Sequence, residues 1–227
     1  MNPLQHSFEQ VFERIEQAKA ANGRTENVQL LAVSKKKSAS VIEEAYHLGQ
    51  RHFGESYVQE ALEKQATLKA LPGICWHFIG PIQSNKTRDI ASHFQWVHSV
   101  DRLKIATRLN EQRPERLPPL NICLQVNISA EASKSGATEA DLPALVNAIK
   151  QLPCLRLRGL MAIPAATIDA QAQRLPFKAM ADHLTRLNQQ FALHMDTLSM
   201  GMTGDLEVAI AEGATIVRVG TALFGKR

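Results

Sequence analysis

The sequence predicts an α/β protein, a single (β/α)8 barrel of the TIM type with an extra helix at its N-terminus. Three observations support this fold class. Short apolar runs alternate with longer helical patterns, several of these runs are nearly continuous in apolar residues, and eight of them fit into 227 residues. Continuous apolar runs are typical of parallel strands that are covered on both faces. Because such barrels use about 250 residues, we predict one domain over residues 1–227.

The first segment is predicted to be an amphipathic helix. Apolar side chains recur there at helical spacing among glutamates, namely Phe8, Val11, Phe12, Ile15 and Ala18. A secretory signal peptide would instead contain an uninterrupted apolar core of about 7–15 residues. The pattern therefore indicates a helix of the folded domain and not a targeting signal.

Eight strand candidates follow, each a short run rich in apolar and β-branched residues. They are Val28–Ser34, Arg51–Gly54, Cys75–Gly80, Trp96–Val100, Leu120–Ile128, Leu155–Ile163, Thr197–Gly201 and Thr215–Gly220. Helical patterns lie between them, at residues 39–49, 55–70, 84–92, 101–112, 138–151, 170–193 and 204–213. An open, doubly wound sheet would show the same alternation. We favour the barrel because eight is the number of strands that closes it.

The composition excludes several classes of protein. With 44% hydrophobic residues the chain is not disordered, and no apolar run approaches the ~20 residues of a membrane span. The formal net charge is +4, and the basic residues are scattered except at 35–37, so no nucleic-acid partner is predicted. Three cysteines, an odd number, indicate reduced thiols and a cytoplasmic protein. The eight histidines lack metal-ligand spacing, so no metal is predicted, and Cys75 and His77 fit ordinary strand packing.

The turn after the first strand carries the lysine triplet Lys35, Lys36 and Lys37. Ligands bind at the carboxyl ends of the strands in either architecture. An amine that follows a buried strand loses its proton more easily, which is the condition for forming an imine with an aldehyde. Lys35 is in phase with the apolar residues of the strand and Lys36 is not. Lys35 is therefore the candidate, and a solvated charge cluster is the alternative.

The third turn, Gly80–Thr87, nearly matches a nucleotide-binding loop. Asn85 stands where the second glycine of that loop would be, and this glycine lets the backbone wrap around phosphate. A polar loop that faces a ligand is therefore favoured over a site for nucleotide triphosphate. We expect no ATP binding through Lys86.

The last two turns indicate a phosphate site. Ser199–Thr203 and Arg218–Thr221 end strands seven and eight, and barrel enzymes commonly bind phosphate in the loops after these strands through backbone N–H groups. Arg218 interrupts an apolar strand, so its guanidinium is predicted to point into the barrel, where it needs an acceptor. A structural arginine–carboxylate pair is the alternative.

An imine-forming lysine, a phosphate cradle and an inward arginine together suggest pyridoxal 5′-phosphate (PLP). With these features the sequence resembles the pyridoxal-phosphate homeostasis proteins, the YggS/PROSC family, over essentially its whole length. The stretches that carry the resemblance are Leu30–Lys35, Phe53–Glu55, Tyr57–Glu60, Trp76–Lys86, Ser133–Gly136, Arg158–Met161, Leu198–Met202 and Val217–Thr221. The resemblance implies a barrel of the alanine racemase N-terminal domain kind.

The resemblance also implies roles for individual residues. Lys35 is the Schiff-base lysine, and Arg218 faces the pyridine nitrogen. Because a guanidinium keeps its protons, it favours an unprotonated ring nitrogen and a weaker electron sink. Lys134 corresponds to a second, looser contact with the cofactor. The phosphate is surrounded by Ser199, Gly201, Met202, Gly220 and Thr221.

Two positions depart from the family pattern. Ser56 stands where the family commonly has asparagine, which puts in doubt a polar contact near the ring. Thr203 stands where the family often has serine, and there the hydroxyl is kept.

The function implied by the resemblance is to hold PLP as a Schiff base and to take part in intracellular PLP homeostasis, without catalysis. PLP-dependent apo-enzymes are the expected recipients, and a monomer is expected. The alternative is a PLP-dependent amino-acid racemase of low activity. Racemases of this fold have a second domain that supplies a catalytic residue, whereas this chain ends at Arg227, seven residues after Gly220. We therefore expect a carrier.

Overall fold

The computed structural model describes residues 2–129, 135–165, 167 and 169–225. Eight parallel strands form a closed barrel in which each strand pairs with the next and the last pairs with the first. The predicted barrel is confirmed, and the open sheet is excluded. The strands are β1 (Gln29–Val33), β2 (His52–Glu55), β3 (Cys75–Phe78), β4 (Trp96–Val100), β5 (Leu120–Val126), β6 (Leu155–Ala162), β7 (Thr197–Ser199) and β8 (Ile216–Val219).

One helix precedes β1, and a helix follows each strand on the outside of the barrel. These helices are α1 (Pro3–Ala21), α2 (Ala39–His47), α3 (Val58–Thr67), α4 (Thr87–His93), α5 (Leu103–Gln112), α6 (Leu142–Ile149), α7 (Ala170–Phe191), α8 (Leu206–Ala211) and α9 (Thr221–Phe224). Two 3-10 turns, Ser84–Lys86 and Glu139–Asp141, precede α4 and α6. None of the helices in the described part of the chain has the length and apolar character of a membrane span.

The strand ends and α9 differ from the sequence prediction. Seven of the predicted strands extend one or two residues beyond the observed ones at one end or both, because the adjoining residues form the connecting turns, and the second strand ends one residue later than predicted, at Glu55. Helix α9 is missing from the prediction, since four residues are too few to show a helical period.

Helix α1 covers one side of the barrel next to α8 and α9. Its apolar face is buried, and the ring of Phe8 packs edge-on against Phe224, with 6.2 Å between the ring centroids. Arg14 pairs with Glu207 at 2.6 Å and also donates to the carbonyl oxygen of Thr203 at 2.8 Å. The extra helix is therefore tied to the turn after β7.

The inside of the barrel is more polar than usual. Branched apolar side chains normally fill such interiors, whereas this one contains buried His77, His98, Ser199 and Arg218. His98 on β4 lies 2.7 Å from the Ser199 hydroxyl on β7. These strands are not neighbours, so this contact crosses the interior.

Candidate functional site

The carboxyl ends of the strands, which we call the mouth, bring the predicted site turns together. Strands β1 and β8 pair in parallel with Ala32 opposite Val219, so the turn that carries Lys35 lies beside the turn after β8. A Cβ atom built on Gly220 would lie 3.2 Å from the carbonyl oxygen of Val33. The lysine turn and the glycine turn are therefore in close contact, as the sequence predicts.

The three lysines of the first turn separate in space. Lys35 is half-buried, whereas Lys36 is exposed and has a positive φ of 63°. The Nζ of Lys36 lies 6.0 Å from the centroid of the Tyr57 ring. Lys37 donates to the carbonyl oxygen of Phe224 at 2.7 Å. The triplet is not one solvated cluster, and Lys35 is more buried than Lys36, as the strand phase predicts.

A buried ionic network supports this turn from outside the barrel. Lys64 donates to Glu55 at 2.8 Å, to the carbonyl oxygen of Ser34 at 2.8 Å and to Glu60 at 2.5 Å. The Ser34 hydroxyl donates to Glu55 at 2.6 Å, and the N–H of Lys36 donates to Glu60 at 2.5 Å. Burial raises the pKa of Glu55, while Lys64 and Ser34 oppose that shift. The network fixes the backbone on both sides of residue 35.

Sequence reasoning missed this network. The available signal is the spacing of Glu60 and Lys64, which places an acid and a base four residues apart on one helix face. Nothing local to the sequence shows that Glu55, at the end of β2, meets the same lysine.

Arg218 points into the barrel, as predicted, and is 5% exposed. It donates to the carbonyl oxygen and, at 2.8 Å, to the hydroxyl of Ser199, and to the carbonyl oxygen of Ala162 at 2.8 Å. Burial lowers the pKa of Arg218 to about 10, so the side chain stays charged at neutral pH. These three contacts are with neutral oxygens, in contrast to the alternative of an arginine–carboxylate pair.

Three histidines form a hydrogen-bonded chain that ends at this arginine. His52 Nδ1 lies 3.0 Å from His77 Nε2, and His77 Nδ1 lies 2.8 Å from His98 Nε2. His98 Nδ1 is 2.7 Å from the Ser199 hydroxyl, which accepts from Arg218. The chain runs from the first residue of β2 to the last residue of β7, through the centre of the barrel.

The two inner histidines are neutral at neutral pH. Burial, reinforced by the charge of Arg218, lowers the pKa of His98 to about 3. Burial also lowers the pKa of His77 well below its usual value. A neutral imidazole has one donor and one acceptor nitrogen, so the tautomer of each ring fixes that of the next. The chain holds the hydroxyl of Ser199, and through it the guanidinium of Arg218, in one orientation.

The predicted phosphate residues lie on two adjacent turns of the mouth, with one exception. Gly201 has a φ of +90°, and a Cβ there would lie 2.6 Å from the Cβ of Ala209. The N–H of Met202 donates at 2.5 Å to the carboxylate of Asp205, so an anionic acceptor already fits at this turn. Gly220 precedes α9, and Thr221 is its first residue.

The exception is Ser199, whose side chain is directed elsewhere. It is fully buried, and its hydroxyl contacts His98 and Arg218. Side chains alternate along a strand, and at the end of β7 this alternation turns Ser199 into the barrel.

Three other predicted positions have different outcomes. Lys134 lies outside the described residues. The backbone of Ser56 packs against Gly80, where a Cβ would be 2.3 Å from the Ser56 carbonyl oxygen. Thr203 lies on the turn after β7, and its carbonyl oxygen accepts from Arg14.

The loop after β3 does not have the form of a nucleotide site. Thr87 would have to present its hydroxyl to a metal-bound nucleotide, yet Thr87 is fully buried. Its hydroxyl oxygen lies 2.9 Å from the Ser84 carbonyl oxygen and 2.7 Å from the Gln112 side chain. The Thr87 hydroxyl is therefore bonded inside the protein rather than presented to a ligand.

A second cluster lies at the amino ends of the strands, which we call the floor. His52 is the first residue of β2 and pairs in register with Cys75, the first residue of β3. Ligand-type atoms of His52, Cys75 and His77 all lie within 4.8 Å of one another. Burial raises the pKa of Cys75 to about 12. From the sequence, Cys75 and His77 are interpreted as ordinary strand packing. His52 lies on a different strand and meets them only through strand register, which the sequence does not show.

Comparison with known proteins places the chain in a family. Residues 7–227 match the family described as alanine racemase, N-terminal domain. The pyridoxal phosphate homeostasis protein of Pseudomonas aeruginosa is 61% identical over 100% of this chain and 97% of its own length. The chain belongs to the pyridoxal phosphate homeostasis protein family. The member from Escherichia coli is 52% identical over 100% of this chain and 98% of its own length.

Solved structures of related proteins agree with this assignment. PipY of Synechococcus elongatus, solved with PLP bound, is 41% identical, with a TM-score of 0.82 over 93% of this chain and 100% of PipY. PipY without PLP gives a TM-score of 0.84 at 42% identity over 94% of this chain and 99% of PipY. An alanine racemase of Clostridium difficile, at 11% identity, shares the fold, with a TM-score of 0.73 over 99% of this chain and 56% of the racemase.

Proposed function

We propose that this protein binds PLP at the mouth of the barrel, as a Schiff base on Lys35, and takes part in PLP homeostasis in the cytoplasm. The observation that carries the proposal is the convergence of the half-buried Lys35 turn, the glycine turns after β7 and β8, and the inward Arg218 at one end of the barrel. The names of the relatives and the PLP-bound PipY structure support it.

Lys35 supplies the amine. An amine and an aldehyde form an imine with loss of water, and this requires an unprotonated nitrogen held near the carbonyl carbon. The network of Glu55, Glu60 and Lys64 keeps the turn in place from outside the barrel. Its charged groups pair with one another, so they leave the mouth side of the turn to the cofactor.

The glycine turns fit the phosphate. At Gly201 a side chain would collide with Ala209, so this turn needs bare backbone, and at Gly220 a Cβ would fit only tightly against the backbone of Val33. Backbone N–H groups exposed in this way bind phosphate oxygens well. Met202 and Thr221 add an N–H group and a hydroxyl at the rim. The N–H of Met202 would exchange the Asp205 carboxylate for a phosphate oxygen.

Arg218 binds the ring nitrogen in this proposal. Its hydrogen bonds to Ser199 and Ala162 hold the guanidinium against the inner wall, and the histidine chain holds Ser199. PLP when bound supplies an electrophilic aldehyde and an electron sink, and a permanently charged arginine at the ring nitrogen weakens that sink. A weak sink suits a protein that stores the cofactor.

We propose a carrier without racemase activity, acting as a monomer with PLP-dependent apo-enzymes as recipients. The relatives of high identity are named homeostasis proteins, and the racemases share the fold at low identity. The three free thiols, at Cys75, Cys123 and Cys154, are consistent with a reducing cytoplasm. We also place the second, looser PLP contact at Lys134.

Absorbance spectroscopy tests the proposal. Purified protein mixed with PLP is expected to show an imine band near the edge of the visible range. Lys35→Ala is expected to abolish the band, and Lys36→Ala, the matched control on the same turn, to keep it. An unchanged band in the Lys35 variant would contradict the assignment. Alanine or serine racemisation at saturating PLP is expected to be absent, and robust turnover would favour the racemase.

A further inference from the structure

The floor of the barrel carries a cluster of side chains that the proposed function does not use as ligands. His52, Cys75 and His77 meet there, at the end of the barrel opposite the cofactor turns. We propose that these three residues form a binding site for a divalent cation of the zinc class. The proposal goes beyond PLP binding and does not depend on it.

The distances are close to those that a tetrahedral ion requires. Bond lengths of zinc to nitrogen and sulfur imply about 3.3 Å between two ligating nitrogens and about 3.5 Å between nitrogen and sulfur. His52 Nδ1 and His77 Nε2 are 3.0 Å apart, and the three ligand-type atoms lie within 4.8 Å of one another. The site therefore requires the side chains of Cys75 and His52 to rotate until their ligand atoms reach this spacing.

His77 is held in the orientation of a metal ligand. Its Nδ1 is hydrogen-bonded to His98 Nε2 at 2.8 Å, and its ring stacks on Trp96 at 5.5 Å with an angle of 10° between the planes. The remaining nitrogen, Nε2, then faces His52. A metal-bound histidine usually has its other nitrogen fixed by such an outer partner, and here His98 provides it.

The donor set defines the class of cation. Two imidazoles and a thiol suit Zn²⁺ and Co²⁺, whereas Mg²⁺ and Ca²⁺ prefer oxygen ligands. Cys75 and His52 are only half-buried, so an ion can arrive from solvent and keep a water as its fourth ligand. On binding, the Cys75 thiol loses its proton to solvent. If His52 binds through Nδ1, its own proton lies on Nε2, and the hydrogen bond to His77 is replaced by the ion.

Co²⁺ is the probe, because it reports its ligands by absorbance. Tag-free, metal-free protein is titrated with Co²⁺ and then with Zn²⁺ as competitor. The expected result is one Co²⁺ per chain, a thiolate-to-cobalt charge-transfer band in the near ultraviolet, and loss of that band on addition of Zn²⁺. Absence of the band from wild-type protein would overturn the proposal.

Variants assign the ligands. Cys75→Ser is expected to lose the band, and His52→Gln is expected to weaken Co²⁺ binding at least about tenfold, the lower range for disturbing a metal site. Cys154→Ser and His93→Gln are the matched controls, because neither residue belongs to the cluster, and both are expected to bind like wild type. A band that persists in Cys75→Ser would contradict the site.

A measurement on wild-type protein covers the case in which a variant does not fold. Zn²⁺ is expected to slow alkylation of Cys75, followed by mass spectrometry, and to leave Cys154 unchanged. Equal alkylation rates at Cys75 with and without Zn²⁺ would also overturn the proposal. Because neither readout uses PLP, failure of the metal site and failure of cofactor binding are distinguished.

Discussion

The mouth and the floor of this barrel are built from different parts of the chain. At the mouth the candidate groups lie on turns, namely the backbone at Gly201 and Gly220 and the half-buried Lys35. At the floor the groups are side chains of the strands themselves, His52 and Cys75. Turns can present backbone N–H groups, while strands can present only side chains. This difference is the physical basis for proposing different ligands at the two ends, an aldehyde phosphate at the mouth and a cation at the floor.

The histidine chain connects these two ends. His77 belongs to the floor cluster, and His98 passes its orientation to Ser199 and so to Arg218. We therefore expect substitutions at the mouth or at the floor to affect ligand binding or stability at that end alone. Substitutions in the histidine chain are expected to affect both ends.

The largest effect is expected for a substitution in the buried ionic network that supports the Lys35 turn from outside the barrel. Lys64→Met leaves Glu55 buried without its cation, which should lower the free energy of unfolding by about 3–5 kcal/mol. Imine formation should also fall, because the turn around residue 35 loses its support. Urea unfolding and PLP titration measure these two effects.

The double variant Glu55→Gln with Lys64→Met is the control for this prediction, since it removes both charges. It should recover part of the stability. If Lys64→Met alone is as stable as wild type, the network does not support the turn.

A smaller loss of stability is expected from a glycine near the floor. In Gly159→Ala the new Cβ would lie 1.8 Å from the carbonyl oxygen of Thr197, so β6 and β7 must separate. We expect a loss of about 3 kcal/mol, the upper range for overpacking, measured by urea unfolding. Gly204→Ala is the control, because nothing lies within 4 Å of its Cβ. Equal stability of the two variants would show that β6 and β7 do not pack as described.

A substitution in the histidine chain is expected to affect both the mouth and the floor moderately. His98→Leu leaves His77 Nδ1 without its partner and removes one of the two contacts of the Ser199 hydroxyl, and an unsatisfied buried group costs about 1–3 kcal/mol. PLP should bind more weakly, and Co²⁺ affinity at the floor should fall about 10–100-fold. His98→Gln, which keeps hydrogen-bonding groups, should recover part of both. If His98→Leu binds PLP and Co²⁺ as wild type does, the histidine chain does not couple the mouth to the floor.

Measured per pH unit, the smallest effect is a pH dependence of stability. The pKa of His98 is 6.5 for the free side chain and about 3 in the fold. As the pH falls from 6.5 towards 3, the unfolded chain therefore binds one more proton at this residue than the native protein. Stability should fall by about 1.4 kcal/mol per pH unit for this group. In His98→Gln the slope between pH 4 and 6 should be smaller by that amount, measured by urea unfolding. An unchanged slope would show that folding does not lower the pKa of His98.

The sequence predicts the mouth better than the floor, for a physical reason. The barrel and the turns at Lys35, Gly201 and Gly220 follow from local patterns, because strand periods and turn residues are local properties. The floor cluster and the contact of Glu55 with Lys64 depend on which residues of neighbouring elements lie opposite one another. Register between strands is set by the packed structure, and one sequence does not show it.

Ser199 shows the same limit on a smaller scale. Its place in the turn after β7 suggested a phosphate ligand, while strand alternation buries its hydroxyl beside Arg218. The turn is predictable from local sequence, but the direction of a side chain at its edge depends on where the strand ends.

The central claim is that the amine of Lys35 at the mouth holds PLP. The most direct test is borohydride reduction of the protein with PLP, followed by mass spectrometry of the peptides. The main adduct is expected on Lys35, with a weaker second adduct on Lys134. An adduct on Lys134 alone, on Lys36 or Lys37, or on no lysine would contradict the claim.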